Sequence, residues 1–393
     1  MAREARARRD EGNEEPPNTR EGFAGGLSSV RRALGYLRSY KREAFGAFVA
    51  LVLASAASLA TPQLIAYAID SGISTRRLDV VLIAVGGLVA AAVLRGLFQF
   101  LQGYLAERAS QGVAYDLRND LFAKIERLGF SYYDRVETGQ LVTRLTSDVE
   151  QIRTFAGSGI VQLAAAAIML VGTTILLISL NWRLALVALA IVPVIFVLLL
   201  RFVRRIGPLF RGVQQTLGRL NSVLQEDLSG IRTIRTFARE DYETERYRSV
   251  NDELLEKNIT TVRTFANNFP FIFLLANLGT LAIILFGGLQ VIGDSLSIGE
   301  LVAFNTYLGF LLFPILTIGF LAAGISRAGA SSQRVFEVLD APLGVEDAPD
   351  AAPLPPLCCR VEFDGVSFRY PGGDREILHD ISFSAQPGQT VAI

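Results

Sequence analysis

The sequence has almost no cysteine or histidine. Its two cysteines, Cys358 and Cys359, are adjacent, and His379 is the single histidine. Neighbouring cysteines rarely bridge each other, and three such side chains do not supply the ligands of a structural zinc site. We therefore predict reduced cysteines in a cytosolic setting, no metal site, and a structural role for His379.

Charged residues are also few, and their signs balance. Only 19% of the 393 residues are charged and 51% are hydrophobic, with 38 basic and 38 acidic residues. The balance gives no argument for a nucleic-acid partner, and none is predicted, whereas the hydrophobic excess indicates a membrane protein. Residues 1–25 mix charges with proline, glycine and asparagine, so we predict a disordered N-terminal segment there and not a signal peptide.

Uncharged stretches predict six membrane-spanning helices. Four charge-free runs each exceed the ~20 residues that a helix needs to cross a bilayer. Two more spans contain an arginine, Arg95 within the second and Arg201 near the end of the fourth, where a long side chain can extend towards the interface. The predicted spans are residues 45–69, 79–105, 155–180, 183–204, 265–291 and 298–325.

Two segments flank the predicted membrane domain, residues 44–329. Before it, apolar residues recur at helical spacing between arginines, which favours an amphipathic helix at 26–43 on an anionic membrane face over a short soluble helix. After it, residues 330–359 are predicted to link to a second domain at 360–393: a helix leaves the last span and runs to Asp340, and a semi-extended stretch with prolines and aspartates follows.

The connections between the spans differ in length and charge. Residues 106–154 and 205–264 form two long connections rich in arginine, whereas the basic residues of the short connections are Arg76, Arg77 and Arg183. The positive-inside rule therefore places the N-terminus, both long connections and the C-terminal domain in the cytoplasm. Both long connections keep helical spacing with mixed charge, so we predict paired helices that project ~30 to 40 Å beyond the bilayer.

The C-terminal residues 361–393 have a different pattern. They read VEFDGVSFRYPGGDREILHDISFSAQPGQTVAI, in which apolar and polar residues alternate. The breaks at Asp364-Gly365, Pro371-Gly372-Gly373 and Pro387-Gly388 predict short strands joined by tight turns. The chain therefore ends in a β-rich soluble unit.

Three stretches of the chain resemble one family. Residues 361–393 resemble the opening of the nucleotide-binding domain of ABC transporters. The stretches SYYDRVETGQLVTRLTSDVEQI and GIRTIRTFAREDYETERY resemble the two intracellular loops of exporter-type ABC transmembrane domains. The resemblance covers residues 26–393 and implies an all-α membrane domain of six transmembrane helices with long cytoplasmic helical extensions. The first β-strands of an α/β nucleotide-binding domain would follow.

The resemblance also implies a coupling helix at the tip of each intracellular loop, docked into a groove of a nucleotide-binding domain. We predict these helices at 131–137 and 237–246, where exposed aromatic residues favour docking over the alternative of packing inside the loop. The predicted coupling residues are Ser131, Tyr132, Tyr133, Asp134, Phe237, Glu240, Asp241 and Tyr242.

The nucleotide site is implied in part. By resemblance Tyr370 stacks on the adenine ring, and the alternative is a strand-end tyrosine that packs on its neighbours. ATP and Mg²⁺ are the implied cofactors. The phosphate-binding loop is expected to follow Ile393, so we expect no ATP hydrolysis from these 393 residues alone.

These features predict a multi-pass half-transporter of the cell membrane that works as a homodimer or as a heterodimer with a similar chain. Driven by ATP, it would export or flip a hydrophobic or amphipathic small molecule, lipid or peptide by alternating access. The alternatives are a membrane scaffold or sensor with this fold, or a secondary transporter with a regulatory tail.

Four polar residues within the spans are candidates for the translocation path: Arg95, Gln99, Asn277 and Asn305. Arg95 and Gln99 are one helical turn apart and share a face. Two interpretations of Arg95 are open at this point. It either extends to the interface as a structural residue, or it faces a central cavity and binds an anionic group of the substrate.

Overall fold

The structure, a computed structural model, describes residues 28–134, 136–344, 350–352, 360–369 and 375–392. Tyr370, both cysteines, the turn predicted at 371–373 and the segment 1–25 lie outside these residues. The chain divides into two compact units. The first consists of Met1–Asp116 and Glu150–Gln333, and the second consists of Leu117–Val149 and Arg334–Ile393.

Six helices in the structure are long and apolar enough, by length and composition, to cross a membrane. Their lengths of 42 to 53 residues correspond to ~63 to 80 Å, about twice or more the ~30 Å thickness of the hydrocarbon core. The predicted fold of six membrane helices with long helical extensions is confirmed. With two short connecting helices, the helices are α1 (Ser28–Ile73), α2 (Leu78–Ile125), α3 (Phe130–Tyr133), α4 (Thr138–Leu180), α5 (Trp182–Ser229), α6 (Ile231–Thr236), α7 (Glu240–Ile292) and α8 (Ile298–Leu339).

Helix α1 begins with the segment predicted to be amphipathic. Residues 28–35 are helical, and Tyr36–Tyr40 form a 3₁₀ turn that leads into the first span. Val30 and Ala33 are buried, whereas the neighbouring Arg31 is exposed. This one-sided burial is typical of an amphipathic helix, and its location on a membrane face stays a prediction.

The core of the first unit holds α5 and α7 side by side. Leu184 and Ile283 are fully buried within one apolar cluster. In a second cluster, the ring of Phe202 lies 5.0 Å from the ring of Phe265 and 5.6 Å from that of Phe269, both edge to face. Edge-to-face pairs add to the free energy of burial because the ring quadrupoles attract each other.

A carboxylate joins the end of α1 to the start of α8. Asp70 lies in a π-helical stretch and accepts hydrogen bonds from the backbone N–H of Gly299 at 2.8 Å and from the hydroxyl of Ser297. A Cβ at Gly299 would clash with this carboxylate and with the carbonyl of Ala66. The first N–H groups of a helix have no intrahelical partners and carry partial positive charge. Asp70 therefore caps α8 from another helix.

Replacing Asp70 with alanine is expected to lower the free energy of unfolding by ~2 kcal/mol, because the first turn of α8 loses a charged acceptor. Unfolding of the purified protein in detergent measures the change. Asp70→Asn should keep more of the stability, because its amide oxygen still accepts a hydrogen bond. Ser71→Ala is the matched control, since the Ser71 hydroxyl makes no hydrogen bond with the described residues. Equal shifts for Asp70→Ala and Ser71→Ala would contradict the capping role.

Beyond their apolar parts, α5 and α7 stay paired as a helical hairpin. Leu220, Val223 and Val250 form a small buried cluster in it. On its surface, a hydrogen bond from the Lys257 ammonium, 2.7 Å away, lowers the pKa of the Glu253 carboxyl. Exposed ion pairs contribute little to stability, so the apolar cluster holds this part of the hairpin together.

In the second unit, an ion pair joins α4 to α8. Asp148 is only 3% exposed and accepts hydrogen bonds from Nε of Arg334 at 2.9 Å and from its Nη2. Nearby, Arg144 donates to the hydroxyl of Tyr132 at 3.1 Å and lies 3.9 Å from Glu337. A bidentate arginine supplies both the opposite charge and the hydrogen bonds that a buried carboxylate needs.

The second unit also contains a two-stranded antiparallel sheet. Its strands are β1 (Val361–Phe368) and β2 (Leu378–Ala385). Phe363 pairs with Phe383 across the sheet, and their rings stack 4.6 Å apart. The β-strands predicted at the end of the chain are confirmed.

The prediction of a turn at Asp364-Gly365 is wrong. Strand β1 continues through these residues, and its register with β2 shifts between Phe363 and Val366. Gly365 has a φ of +61°, a left-handed conformation that glycine adopts without a steric penalty. The two residues therefore form a bulge within one strand instead of a turn between two.

Candidate functional site

The first unit contains a cavity of about 690 Å³ that is lined by α1, α2, α4 and α8. Small-molecule sites typically range from ~300 to 1,000 Å³ and combine an apolar wall with a few polar groups. The apolar part of this wall includes Met169, Phe310 and Phe313. The polar side chains of the wall are Ser58, Arg95, Gln99, Gln102, Gln162 and Thr317.

Arg95 is the charged side chain of this cavity wall. It forms no ion pair or hydrogen bond with any residue that the structure describes. An arginine inside a membrane span costs free energy on insertion, up to ~2.5 to 3.5 kcal/mol at the helix centre, so such residues normally face a cavity or a partner. Its position on the wall favours the cavity-facing interpretation of the two that the sequence left open.

Three glutamines line the same cavity. The amides of Gln99, Gln102 and Gln162 make no hydrogen bonds with other described residues. By contrast, the hydroxyls of Ser58 and Thr317 donate to carbonyls of their own helices at 3.0 and 2.9 Å. Because an amide both donates and accepts, the glutamines are free to bond to a polar ligand. Gln102 and Gln162 were not predicted as site residues from the sequence. Both are amides within apolar spans, and this was the signal that could have identified them.

Asn277 and Asn305 do not line this cavity. Both side chains are exposed, on α7 and α8 respectively. Of the four residues predicted for the translocation path, the structure thus brings Arg95 and Gln99 together. A role for the two asparagines in that path stays a prediction.

The tip of the first long connection differs from the prediction. The short helix is α3, Phe130–Tyr133, and not residues 131–137. The hydroxyl of Tyr133 donates to the carbonyl of Ile125 at 2.6 Å, and its ring lies edge to face with that of Tyr132, 6.2 Å away. These contacts are the packing inside the loop that was the alternative to docking.

Phe130 is the most exposed aromatic side chain of α3. It is 91% exposed, and the predicted coupling residues Ser131 and Asp134 beside it are also exposed. An apolar ring that stays in water at the end of a helical extension is typical of a contact surface. Phe130 was not predicted, because it precedes the coupling helix predicted at 131–137, whose tyrosines were the expected docking aromatics.

The bounds predicted for the second coupling helix, 237–246, are wrong. The short helix is α6, Ile231–Thr236, and α7 begins at Glu240. Between them Ala238 has a φ of +46°, which interrupts the helix. The sequence pattern did not show this break, because an alanine at positive φ is unusual.

The predicted coupling residues of the second tip are exposed. Phe237 is 70% and Tyr242 is 62% exposed, and the Arg239 guanidinium lies 5.9 Å from the Tyr242 ring. Glu240 and Asp241 occupy the first turn of α7, where acidic side chains stabilise the helix dipole. Phe237 is therefore the most exposed apolar side chain at this tip, as Phe130 is at the first.

No group of three His, Cys, Asp or Glu side chains within the described parts of the chain is arranged to hold a metal ion. The candidate site is a binding cavity whose wall carries one cationic side chain and several amide side chains. Two exposed aromatic tips lie at the ends of the long connections.

Comparison with known proteins matches residues 45–315 to the family model described as "ABC transporter transmembrane region". "Uncharacterized ABC transporter ATP-binding protein YknU" of Bacillus subtilis is 30% identical over 367 residues, 93% of this chain and 63% of the relative. "Putative multidrug export ATP-binding/permease protein YgaD" of the same organism is 27% identical over 373 residues, 93% of this chain and 64% of the relative. "ATP-dependent lipid A-core flippase" of Aromatoleum aromaticum is 32% identical over 310 residues, 78% of this chain and 50% of the relative. The chain spans less than two thirds of the length of each of these relatives.

Proposed function

The chain belongs to the exporter-type ABC transporter family, and from this premise we propose that it forms the membrane part of an ATP-driven exporter of hydrophobic or amphipathic molecules. The observation that carries the proposal is the cavity among α1, α2, α4 and α8. Its wall is mainly apolar with a few polar groups, which suits a substrate that has both characters. The names of two relatives, a lipid A-core flippase and a putative multidrug exporter, support the same substrate range.

We propose that two such chains, identical or similar, work together by alternating access. The long connections and the C-terminal unit would lie in the cytoplasm, because arginines concentrate there and not in the short connections. Nucleotide-driven movement would reach the membrane helices through the tips at Phe130 and Phe237. The membrane part supplies two arrangements, and nucleotide shifts the balance between them.

ATP and Mg²⁺ are the proposed cofactors of the complete protein. The described residues include two strands of the C-terminal unit, but the 393 residues contain no Gly-x-x-x-x-Gly-Lys-Ser/Thr sequence to bind phosphates. Because the relatives are longer, we propose that the phosphates bind to a part of the protein outside these residues. The 393-residue chain alone is expected to show no ATP hydrolysis.

Replacing Tyr370 with alanine in the complete protein is expected to weaken nucleotide binding by ~1 to 2 kcal/mol, the scale of one lost stacking contact with a base. Tyr370→Phe and Tyr370→Trp should bind like the wild type, because both keep a flat aromatic face. Titration with a fluorescent ATP analogue measures the affinities. Equal affinities of the alanine and phenylalanine variants would contradict the adenine contact.

Transport by the complete gene product in proteoliposomes tests the proposed function. Accumulation of a fluorescent amphiphile should require ATP and Mg²⁺ and should stop when Mg²⁺ is chelated. Movement driven by an ion gradient without ATP would indicate a secondary transporter. No movement of any neutral, cationic or anionic amphiphile, with intact folding, would favour a scaffold or sensor.

A further inference from the structure

Arg95 and Gln162, two polar residues of the cavity wall, lie at a similar depth along their helices. At ~1.5 Å per residue, Arg95 lies ~24 Å from Asp79 at the start of α2, and Gln162 lies ~27 Å from the end of α4 at Leu180. Both ends belong to short connections, which lie on one side of a ~30 Å hydrocarbon core. These two residues are therefore nearer the opposite boundary of that core, the side of the long connections. Lipid headgroups lie at this depth.

Among the residues that the structure describes, Arg95 has no counter-ion. A second copy of the chain also offers no carboxylate at this depth, because the spans are free of acidic residues there. The positions without aspartate or glutamate are 44–69, 80–106, 151–225, 257–293 and 301–336.

We infer that the cavity binds an amphiphile with an anionic headgroup, such as a phosphate ester or a carboxylate. The Arg95 guanidinium would bind the anion with charge-assisted hydrogen bonds, and the free amides of Gln99, Gln102 and Gln162 would bond to the rest of the headgroup. The apolar chain would lie along the wall near Phe310 and Phe313. This inference rests on the proposed function where it concerns transport of the amphiphile. The binding of the amphiphile to the cavity does not depend on the proposed function.

Native mass spectrometry of the complete protein in uncharged maltoside micelles tests the inference without nucleotide. The probes are dodecyl phosphate and phosphatidylglycerol, with phosphatidylcholine and dodecyltrimethylammonium as comparators. Binding of phosphatidylglycerol alone identifies a membrane lipid, and binding of dodecyl phosphate alone identifies a single-chain amphiphile. Either result supports the anionic class. Preference for the cationic probe, or equal binding of all four, overturns it.

Substitutions locate the binding. Arg95→Gln should raise the Kd of the anionic probe roughly tenfold or more, a factor that corresponds to ~1.4 kcal/mol, and Arg95→Lys should keep most of the affinity. Arg201→Gln is the matched control, because Arg201 is an exposed arginine near the end of the apolar part of α5 and does not line the cavity. Unchanged affinity in Arg95→Gln, or an equal loss in Arg201→Gln, overturns the inference.

A second variant covers the case in which Arg95→Gln does not fold. Gln162→Glu places a carboxylate on the same wall and should weaken binding of the anionic probe while it strengthens binding of dodecyltrimethylammonium. Unchanged preference in this variant also overturns the inference. Failure of the proposed function is recognised separately, as the absence of ATP-dependent transport of any amphiphile by a protein that still binds the anionic probe.

Discussion

Replacing Arg334 with alanine is expected to lower the free energy of unfolding by ~3 kcal/mol, the lower end of the range for breaking a buried ion pair. The carboxylate of Asp148 is almost fully buried and accepts two hydrogen bonds from this guanidinium. Without the arginine this buried carboxylate loses its opposite charge and both hydrogen bonds, which costs free energy. Arg334 is itself half exposed, so solvent limits the loss.

Unfolding of the purified protein in detergent, followed by circular dichroism, measures this loss. Arg327→Ala is the matched control, because Arg327 is exposed two turns earlier on α8 and has no partner among the described residues. The double variant Asp148→Leu with Arg334→Met should be more stable than Arg334→Ala, since it leaves no unpaired charge. If Arg334→Ala unfolds like the wild type, Asp148 does not depend on this arginine.

The spans were predictable and the contacts between them were not. Charge-free runs long enough to cross a bilayer are recognisable in the sequence alone. The free-energy cost of a charge in the membrane depends on the span that carries it and not on remote residues. The partners of the two buried or half-buried carboxylates are remote: Asp70 bonds to a residue 229 positions away, and Asp148 to one 186 positions away. Both carboxylates also lie in π-helical stretches, which the spacing of apolar residues does not reveal.

The candidate site was predictable to the same limited extent. Arg95 and Gln99 stand out because a charge and an amide one turn apart interrupt an apolar run. Gln162 belongs to another span, and its place on the same wall depends on how α1, α2, α4 and α8 pack. Asn277 and Asn305 also interrupt apolar runs, but they lie outside this wall. A polar residue in an apolar span is conspicuous in the sequence, but the sequence does not show which way that face of its helix points.

A negative charge at either tip is expected to separate ATP hydrolysis from transport. Phe130 and Phe237 are 91% and 70% exposed, and we propose that each enters an apolar groove of a nucleotide-binding domain. Loss of such an aromatic anchor typically costs ~2 kcal/mol or more, roughly 30-fold in the docking equilibrium, and a buried glutamate adds a desolvation cost. Phe130→Glu and Phe237→Glu should therefore prevent transport of the amphiphile, while insertion and folding are unchanged.

Proteoliposome transport and ATP hydrolysis, measured on the same preparations, test this prediction. Leu255→Glu controls for the added charge, because Leu255 is 57% exposed on the α7 extension, away from its tip. Tyr133→Glu separates docking from folding: it removes the hydrogen bond to the Ile125 carbonyl and should lower the unfolding temperature, which the two phenylalanine variants should not do. If Phe130→Glu and Phe237→Glu both transport at the rate of Leu255→Glu, these aromatic tips do not transmit the movement, and another surface of the long connections must.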